Sequence, residues 1–308
     1  MKKVVLLGDG MIDVYHRCEV TRIAPEGPFP VLNELSSDYM LGGSFNVARQ
    51  LLTFGFEVAP LVVLHDHQTF FKKYRLSSFR EAQNYSKSLE FLFDSDIVSI
   101  KHRFTSLDKI IARWDIDSVA IPDHYDDLII SAVFEFKPDL IVFSDYNKGS
   151  LSDFLIKSVL SYASISNIIT LVDPKPRADL GVYRGADVIT PNLIEANLLM
   201  KSLGYLQNLD CSTILAILRD DLQIKRPVIT LGSQGICCLN EFGDFVHSPV
   251  LQKDLFDVTG AGDAVISTLC YCLANDISLV DALAYANKAG GAVVGHLGNY
   301  CLSLEDIL

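Results

Sequence analysis

Short, wholly apolar runs return along this chain at regular intervals, and that rhythm limits the folds open to it more than anything else. The runs are "VVLLGD" (4–9), "VAPLVVL" (58–64), "DLIVFSD" (139–145), "IITLVD" (168–173), "DVIT" (187–190) and "PVITLG" (227–232). Segments with helical periodicity lie between and after them, at 43–54, 151–163, 193–204, 212–221, 261–274 and 278–295. A strand that is apolar at every position cannot leave one face in water. Such strands, alternating with amphipathic helices, predict an α/β fold with a parallel sheet covered on both faces. Ligands of these sheets bind beyond the carboxyl ends of the strands. The Asp, Gly and Asn residues that close several runs are therefore the first candidates for chemistry.

Two stretches break the rhythm. Residues 14–36 and 97–121 alternate polar and apolar side chains, and the first holds three prolines. They are expected to pair as a small sheet beside the main one. Residues 65–96 between them are polar and aromatic, with little pattern. No repeat or linker interrupts the chain, so 1–308 reads as one domain with the small sheet as an excursion from it. At 308 residues and 49% hydrophobic composition there is ample material for a large core.

Charge and cysteine content narrow the function. A net charge of −12 argues against general nucleic-acid binding, which needs clustered Lys and Arg. It leaves room for small anions in a local basic pocket. No apolar run approaches the roughly 18 residues of a membrane span. "MKKVVLLGDG" is too short for the apolar region of a signal peptide and reads as a first buried strand. The seven cysteines are odd in number and include no CxxC pair. They read as small buried hydrophobes in a reducing, cytoplasmic setting.

"DVTGAGD" (257–263) stands just before an apolar helical segment. Gly260, Ala261 and Gly262 would place nearly bare N–H groups at a helix start, where they and the helix dipole suit a phosphoryl group carrying transition-state charge. Asp263, in the first turn, could take the proton of an attacking hydroxyl. No GxxxxGK[ST] loop occurs. The opening "GDGMID" fails as a dinucleotide fingerprint, because Asp13 stands where a small residue is needed and no helix pattern follows. Asp9 and Asp13 are instead candidate acceptors for substrate hydroxyls. In "LGGSFNVARQL", Gly42 and Gly43 let backbone approach a ligand, and Asn46 can both donate and accept. Asn192 and Glu195 lie three apart at a strand-to-helix junction. That spacing serves a water-bound Mg²⁺ or, equally, a helix cap. "TLGSQG" (230–235) suits the surface of a nucleotide, and "SDYNKGSL" and "LVDPKPR" each close a strand with an Asp and a Lys.

In this order, "GGSFNVA", "PNLIE" and "DVTGAGD" resemble the signatures of the ribokinase-like carbohydrate kinases, the phosphofructokinase B family, from the first strand to about residue 300. Within it, "GDGMIDVY", "TRIAPEGPFPVL", "SDYNKGSL", "VDPK", "YRGADVITPN" and "VVGHLGN" resemble the D-glycero-β-D-manno-heptose 7-phosphate kinases of lipopolysaccharide-precursor synthesis. The resemblance implies a Rossmann-like α/β/α sandwich with a small β-sheet lid, and transfer from ATP, with Mg²⁺, to the anomeric hydroxyl. Asp263 would be the base and Gly260, Ala261 and Gly262 the anion hole. Asp13, Gly42, Gly43 and Asn46 would hold the sugar. Asn192 and Glu195 would position Mg²⁺ through water, while Thr230, Gly232, Gly235 and Asn287 border the nucleotide. Arg113, Lys148 or Lys175 would meet a phosphate already on the sugar. Lid sheets that pair between subunits imply a homodimer. Some members carry a C-terminal nucleotidyltransferase domain, and a chain ending at 308 is expected to act as a kinase alone.

The wording departs from the family at His65 and in the "HDHQTFFKKYRLSSFR" segment, and from the heptose kinases in "APEG" and "IARWDID". These departures leave another acceptor open, whether a ketose, nucleoside, cyclitol or secondary-metabolite sugar. A sensor on a kinase scaffold is the non-enzymatic alternative, and the intact Asp263 with its glycines argues against it.

Overall fold

The computed structural model describes residues 1–62, 99–107, 109–117, 125–177, 180–250, 259–296 and 298–308. His65, the 65–96 segment, and Asp257 and Val258 of the last motif lie outside them. The described strands are β1 (Lys3–Gly8), β2 (Gly10–Ile23), β3 (Pro30–Gly43), β4 (Glu57–Val62), β5 (Ser99–Ser106), β6 (Lys109–Ile116), β7 (Leu140–Ser144), β8 (Ile169–Asp173), β9 (Val188–Ile189), β10 (Arg226–Thr230), β11 (Ile236–Leu239) and β12 (Phe245–Ser248). The described helices are α1 (Ser44–Thr53), α2 (Asp126–Phe136), α3 (Asp153–Ser166), α4 (Leu193–Ser202), α5 (Cys211–Asp220), α6 (Ala261–Ala274), α7 (Leu279–Val294) and α8 (Leu304–Ile307).

Eight strands form the main sheet in the order β12-β11-β10-β9-β8-β7-β1-β4. From β10 to β4 every pairing is parallel, and β11 and β12 close the other edge antiparallel. The apolar runs of the sequence are these parallel strands. Val4 and Leu6 point into a core formed with α1, α6 and α7, while Val5 and Leu7 point into a second core formed with α2 to α5. Leu140/Ile141 and Val228/Ile229 divide between the two cores in the same way. Each fully buried aliphatic side chain contributes roughly 1.5–3 kcal/mol, which is why both faces must be covered. The α2 helix and the β11–β12 pair add to the elements expected from periodicity.

The four strands of the second sheet are ordered β3-β2-β5-β6. This is the expected small sheet, with longer strands than the 14–36 stretch suggested. Residues Gly10–Asp13 pair in register with Met40–Gly43, so the hairpin runs down to the end of β1. Pro25 and Pro28 fall in the turn between β2 and β3, and Pro30 at the first residue of β3, where no ladder N–H is lost. At its root, Gly43 has φ +59°, and a Cβ there would lie 2.5 Å from the Asp9 carbonyl oxygen. That glycine lets β3 turn straight into α1. All seven cysteines are free, and burial pushes the thiols of Cys237, Cys238, Cys270 and Cys272 up.

Candidate active site

The start of α6 is open backbone beside a buried acid. Gly260 precedes the helix with φ +81°, a left-handed conformation that disfavours a side chain. The Ala264 N–H closes the first turn on the Gly260 carbonyl at 2.9 Å. The N–H groups of Ala261, Gly262 and Asp263 come before that bond and have no partner within the helix. Gly262 is exposed, whereas Asp263 is only 4% exposed. A Cβ on Gly260 would sit 2.9 Å from Asn46 Nδ2.

Both oxygens of Asp263 are engaged. Asn46 Nδ2 donates to Oδ2 and the Tyr146 hydroxyl donates to Oδ1, each at 2.8 Å. Burial raises the Asp263 pKa. The bonds from Asn46 and Tyr146 and the charge of Lys101 oppose that rise, and Asp13 adds to it. Asp173, at the end of β8, lies alongside: a Cβ on Gly262 would be 3.7 Å from its Oδ2. Burial, followed by the charge of Asp263, pushes the Asp173 carboxyl up to about 8. Asp263 accepts two close donors, whereas the Thr190 hydroxyl reaches Asp173 at 3.5 Å. Donors favour the ionised form, so Asp173 holds the proton of this pair and Asp263 carries the charge.

Asp9 corrects an expectation. Its carboxylate accepts the backbone N–H groups of Tyr146 (2.9 Å), Lys148 (3.2 Å) and Ser150 (2.9 Å). It shapes the loop after β7, which carries Tyr146 to Asp263, and its oxygens are not turned toward a ligand hydroxyl. In that loop Asp145 is locked by Arg177 Nε at 2.7 Å and the Tyr183 hydroxyl at 2.6 Å.

On the lid side, Asp13 is buried in β2. Arg103 Nη1 donates to its Oδ1, and Asn299 Nδ2 donates to its Oδ2 at 2.6 Å. A Cβ on Gly42 would come within 2.0 Å of Asp13 Oδ2, so Gly42 is the space that carboxylate occupies. Asn46 Oδ1 is buried without a partner, an acceptor suited to a hydroxyl. Asp13, Gly42, Gly43, Asn46, Asp263 and the Gly260 loop thus meet around the root of the lid.

The other candidates form two further groups. Asn192 and Glu195 make a reciprocal cap at the start of α4, at 2.9 and 3.0 Å. Lys175 pairs with Glu195, and its Nζ also stands 5.7 Å from the centre of the Tyr146 ring. Thr230 bridges to Asn192. Gly235 and Asn287 meet at Ser248: a Cβ on Gly235 would be 2.1 Å from its carbonyl oxygen, to which Asn287 Nδ2 donates at 2.7 Å. Gly232, at φ +59°, has open space where a side chain would be. Arg113 is not drawn inward; it holds Asp115 through two bonds of 2.7 and 2.6 Å. Lys148 pairs with Asp117 at 2.7 Å.

The residues fit the implied groups to different degrees. The bare N–H groups of α6 match a phosphoryl oxygen. Among the described residues no cluster of three His, Cys, Asp or Glu groups could hold a metal. The exposed Asn192 and its Glu195 partner suit only a hydrated Mg²⁺ that also leans on nucleotide phosphates. Motif reading took in Asp173 as the acid that closes the "LVDPKPR" strand, but did not single out Tyr146, Lys101, Arg103 and Asn299. "SDYNKG" and "HLGN" contain two of them, but the pairings that give them meaning span long separations, 90 residues for Arg103 and Asp13.

Comparison with known proteins gives the family and the fold. The model of the pfkB family carbohydrate kinases matches residues 132–305. The "Bifunctional protein HldE" of Campylobacter jejuni is 32% identical over 99% of this chain, which covers 64% of that protein. Proteins of the same name are 36% identical in Campylobacter fetus and 34% in Helicobacter pylori, each with 66% of its length covered. The chain thus spans about two thirds of these relatives. Among solved structures, phosphofructokinase-2 from Escherichia coli superposes with a TM-score of 0.78 at 16% identity, covering 99% of this chain and 96% of that one. Ribokinase from Thermotoga maritima gives 0.75 at 17% identity, covering 100% and 98%. Those two likenesses establish the ribokinase-like fold. Among the described residues no helix is long and apolar enough to cross a membrane.

Proposed function

Since the chain belongs to the pfkB family of carbohydrate kinases and is a sugar phosphotransferase, we propose that it phosphorylates the anomeric hydroxyl of D-glycero-β-D-manno-heptose 7-phosphate, with Asp263 as general base. The observation that carries the catalytic part is the pairing of a buried, doubly hydrogen-bonded Asp263 with the unpaired N–H groups of Ala261 and Gly262 on the same helix turn. Support for the acceptor comes from the heptose-kinase wording of the sequence and from the relatives that share the HldE name.

Mg-ATP, when bound, supplies the phosphoryl group and the charge that shields it. The chain's own part begins with orientation. Asn46 and Tyr146 fix the Asp263 carboxylate, and the protonated Asp173 leaves Asp263 as the base that carries charge. An acceptor hydroxyl that replaces the Tyr146 hydroxyl at Oδ1 would give its proton to Asp263. The N–H groups of Ala261 and Gly262 would hold the oxygens of the group in transfer. Preorganised donors of this kind contribute about 3–4 kcal/mol each to transition-state stabilisation. Asn192 and Glu195 would meet Mg²⁺ through water, and Thr230, Gly232, Gly235 and Asn287 would border the base and ribose.

For the assembled state the proposal is a homodimer through the lid. Trp114 is 58% exposed and Ile110 44% exposed on β6, apolar surface that a second lid could cover. Light scattering of the purified chain should give twice the monomer mass, and Trp114→Glu should halve it. The acceptor is tested by ADP release with Mg-ATP and a panel of heptose 7-phosphate, fructose 6-phosphate, ribose and inositols. Turnover confined to the heptose phosphate is the expected result. Turnover only on another member would replace the acceptor and keep the chemistry.

A further inference from the structure

Around the site, most cations hold a carboxylate. Arg103 holds Asp13, Arg113 holds Asp115, Lys148 holds Asp117, Lys175 holds Glu195 and Arg177 holds Asp145. Lys101 is the exception. It stands on β5 in register with Asp13 of β2 on one side and Asp115 of β6 on the other. Asp13 is taken diagonally by Arg103 and also accepts Asn299, and Asp115 is taken by Arg113 two residues away on its own strand. Among the described residues no carboxylate lies within ion-pair distance of the Lys101 ammonium. It rests over the Tyr146 ring, 4.9 Å from the centroid, and the hydroxyl of that ring is bonded to Asp263.

Two features make this a site and not a stray surface charge. Lys101 is partly buried, and burial lowers its pKa against the favourable charges of Asp13 and Asp263, so a cation is kept where desolvation opposes it. A cation over an aromatic face is worth roughly 0.5–2 kcal/mol, less than a charge-assisted bond to an anion, so a ligand can draw the ammonium away. Lys101 also reaches the site from the lid strand beside Asp13, on the side where the acceptor is expected. Lys175 comes from the loop after β8 and is tied to the Asn192–Glu195 cap. Lys101, Arg103 and Arg113 lie on one face of the lid sheet, together with Asp13 and Asp115.

We infer that Lys101 is the specificity-determining cation of this kinase, binding a phosphate group already carried by the acceptor. The inference rests on the sugar-kinase reading above and adds the side chain that reads the acceptor's charge. It moves that role away from Arg113, Lys148 and Lys175, which already hold carboxylates. When an acceptor phosphate is present, the ammonium leaves the Tyr146 ring for a phosphate oxygen, and no covalent step is involved.

The test compares heptose 7-phosphate, fructose 6-phosphate and ribose 5-phosphate, each beside its unphosphorylated parent. Calorimetric binding and ADP release are measured for wild type, Lys101→Met, Lys101→Gln and Lys101→Arg, with thermal melting to confirm folding. The expected result is that wild type prefers a phosphorylated member, that Met and Gln cut the phosphate-to-parent ratio of affinities about 10- to 100-fold, and that Arg restores most of it. A wild type with no preference for any phosphorylated member would overturn the inference. So would an equal loss on both members of a pair, since Lys101 would then serve the transferred group or the lid itself. A preference that is lost in the variants, without turnover of the heptose phosphate, would uphold Lys101 and remove the heptose reading alone.

Discussion

In the main sheet, Val4 to Leu7 are fully buried and polar groups wait until the strands end, at Asp9, Asp145 and Asp173. In the lid sheet, Asp13, Lys101 and Arg103 sit within the strands, and the far end of the sheet exposes Trp114 and Ile110. The difference separates two kinds of work. Beside the carboxyl edge of the main sheet, α6 presents backbone N–H groups and the buried Asp263, a fixed geometry that would suit any hydroxyl acceptor under the proposed function. The lid presents side-chain charges whose pairing can be altered one residue at a time, and it is there that one acceptor can be told from another.

That contrast can be broken from either side. The largest expected effect on stability is in the lid. Arg103→Met would leave Asp13 buried with Asn299 alone, and breaking a buried pair of this kind costs about 3–5 kcal/mol. Chemical denaturation should show that loss, and adding Asp13→Asn should recover part of it. On the main-sheet side, Gly260→Ala places a Cβ at positive φ, 2.9 Å from Asn46 Nδ2. It should cost roughly 1–2 kcal/mol in stability, with a larger fall in kcat than in the affinity for either substrate.

A pH-dependent effect is expected from Asp173. Its carboxyl is held up at about 8 in the folded chain against an ordinary 3.8, so the folded state binds more protons than the unfolded one between those values. Its contribution to stability is therefore full below about pH 4, falls as pH rises toward 8, and stays low above that. Asp173→Asn should flatten this decline in melting curves recorded across that range. An unchanged slope would show that another group carries the proton.

The main sheet was legible in the sequence because wholly apolar runs allow few alternatives, and the α6 segment because Gly260 and Asp263 declare a helix start with an acid. Asp9 misled because a carboxylate at a strand end looks the same whether it faces a ligand or the backbone of its own loop. The α2 helix escaped because Leu128 and Phe134 are exposed, 50% and 42%, and blur its apolar stripe. Lys101 could not be read at all. In sequence it is one polar residue in an alternating strand, and its isolation depends on Arg103 taking Asp13 across the lid register and Arg113 taking Asp115 along its own strand.

The most direct measurement is phosphoryl transfer by Asp263→Asn under saturating Mg-ATP and acceptor, with binding of both followed separately. The account predicts a fall in kcat of about 10²- to 10⁴-fold with both affinities within a few-fold of wild type. A variant that transfers phosphate at near the wild-type rate would contradict it, because the proton would then leave by a route that does not pass through this carboxylate.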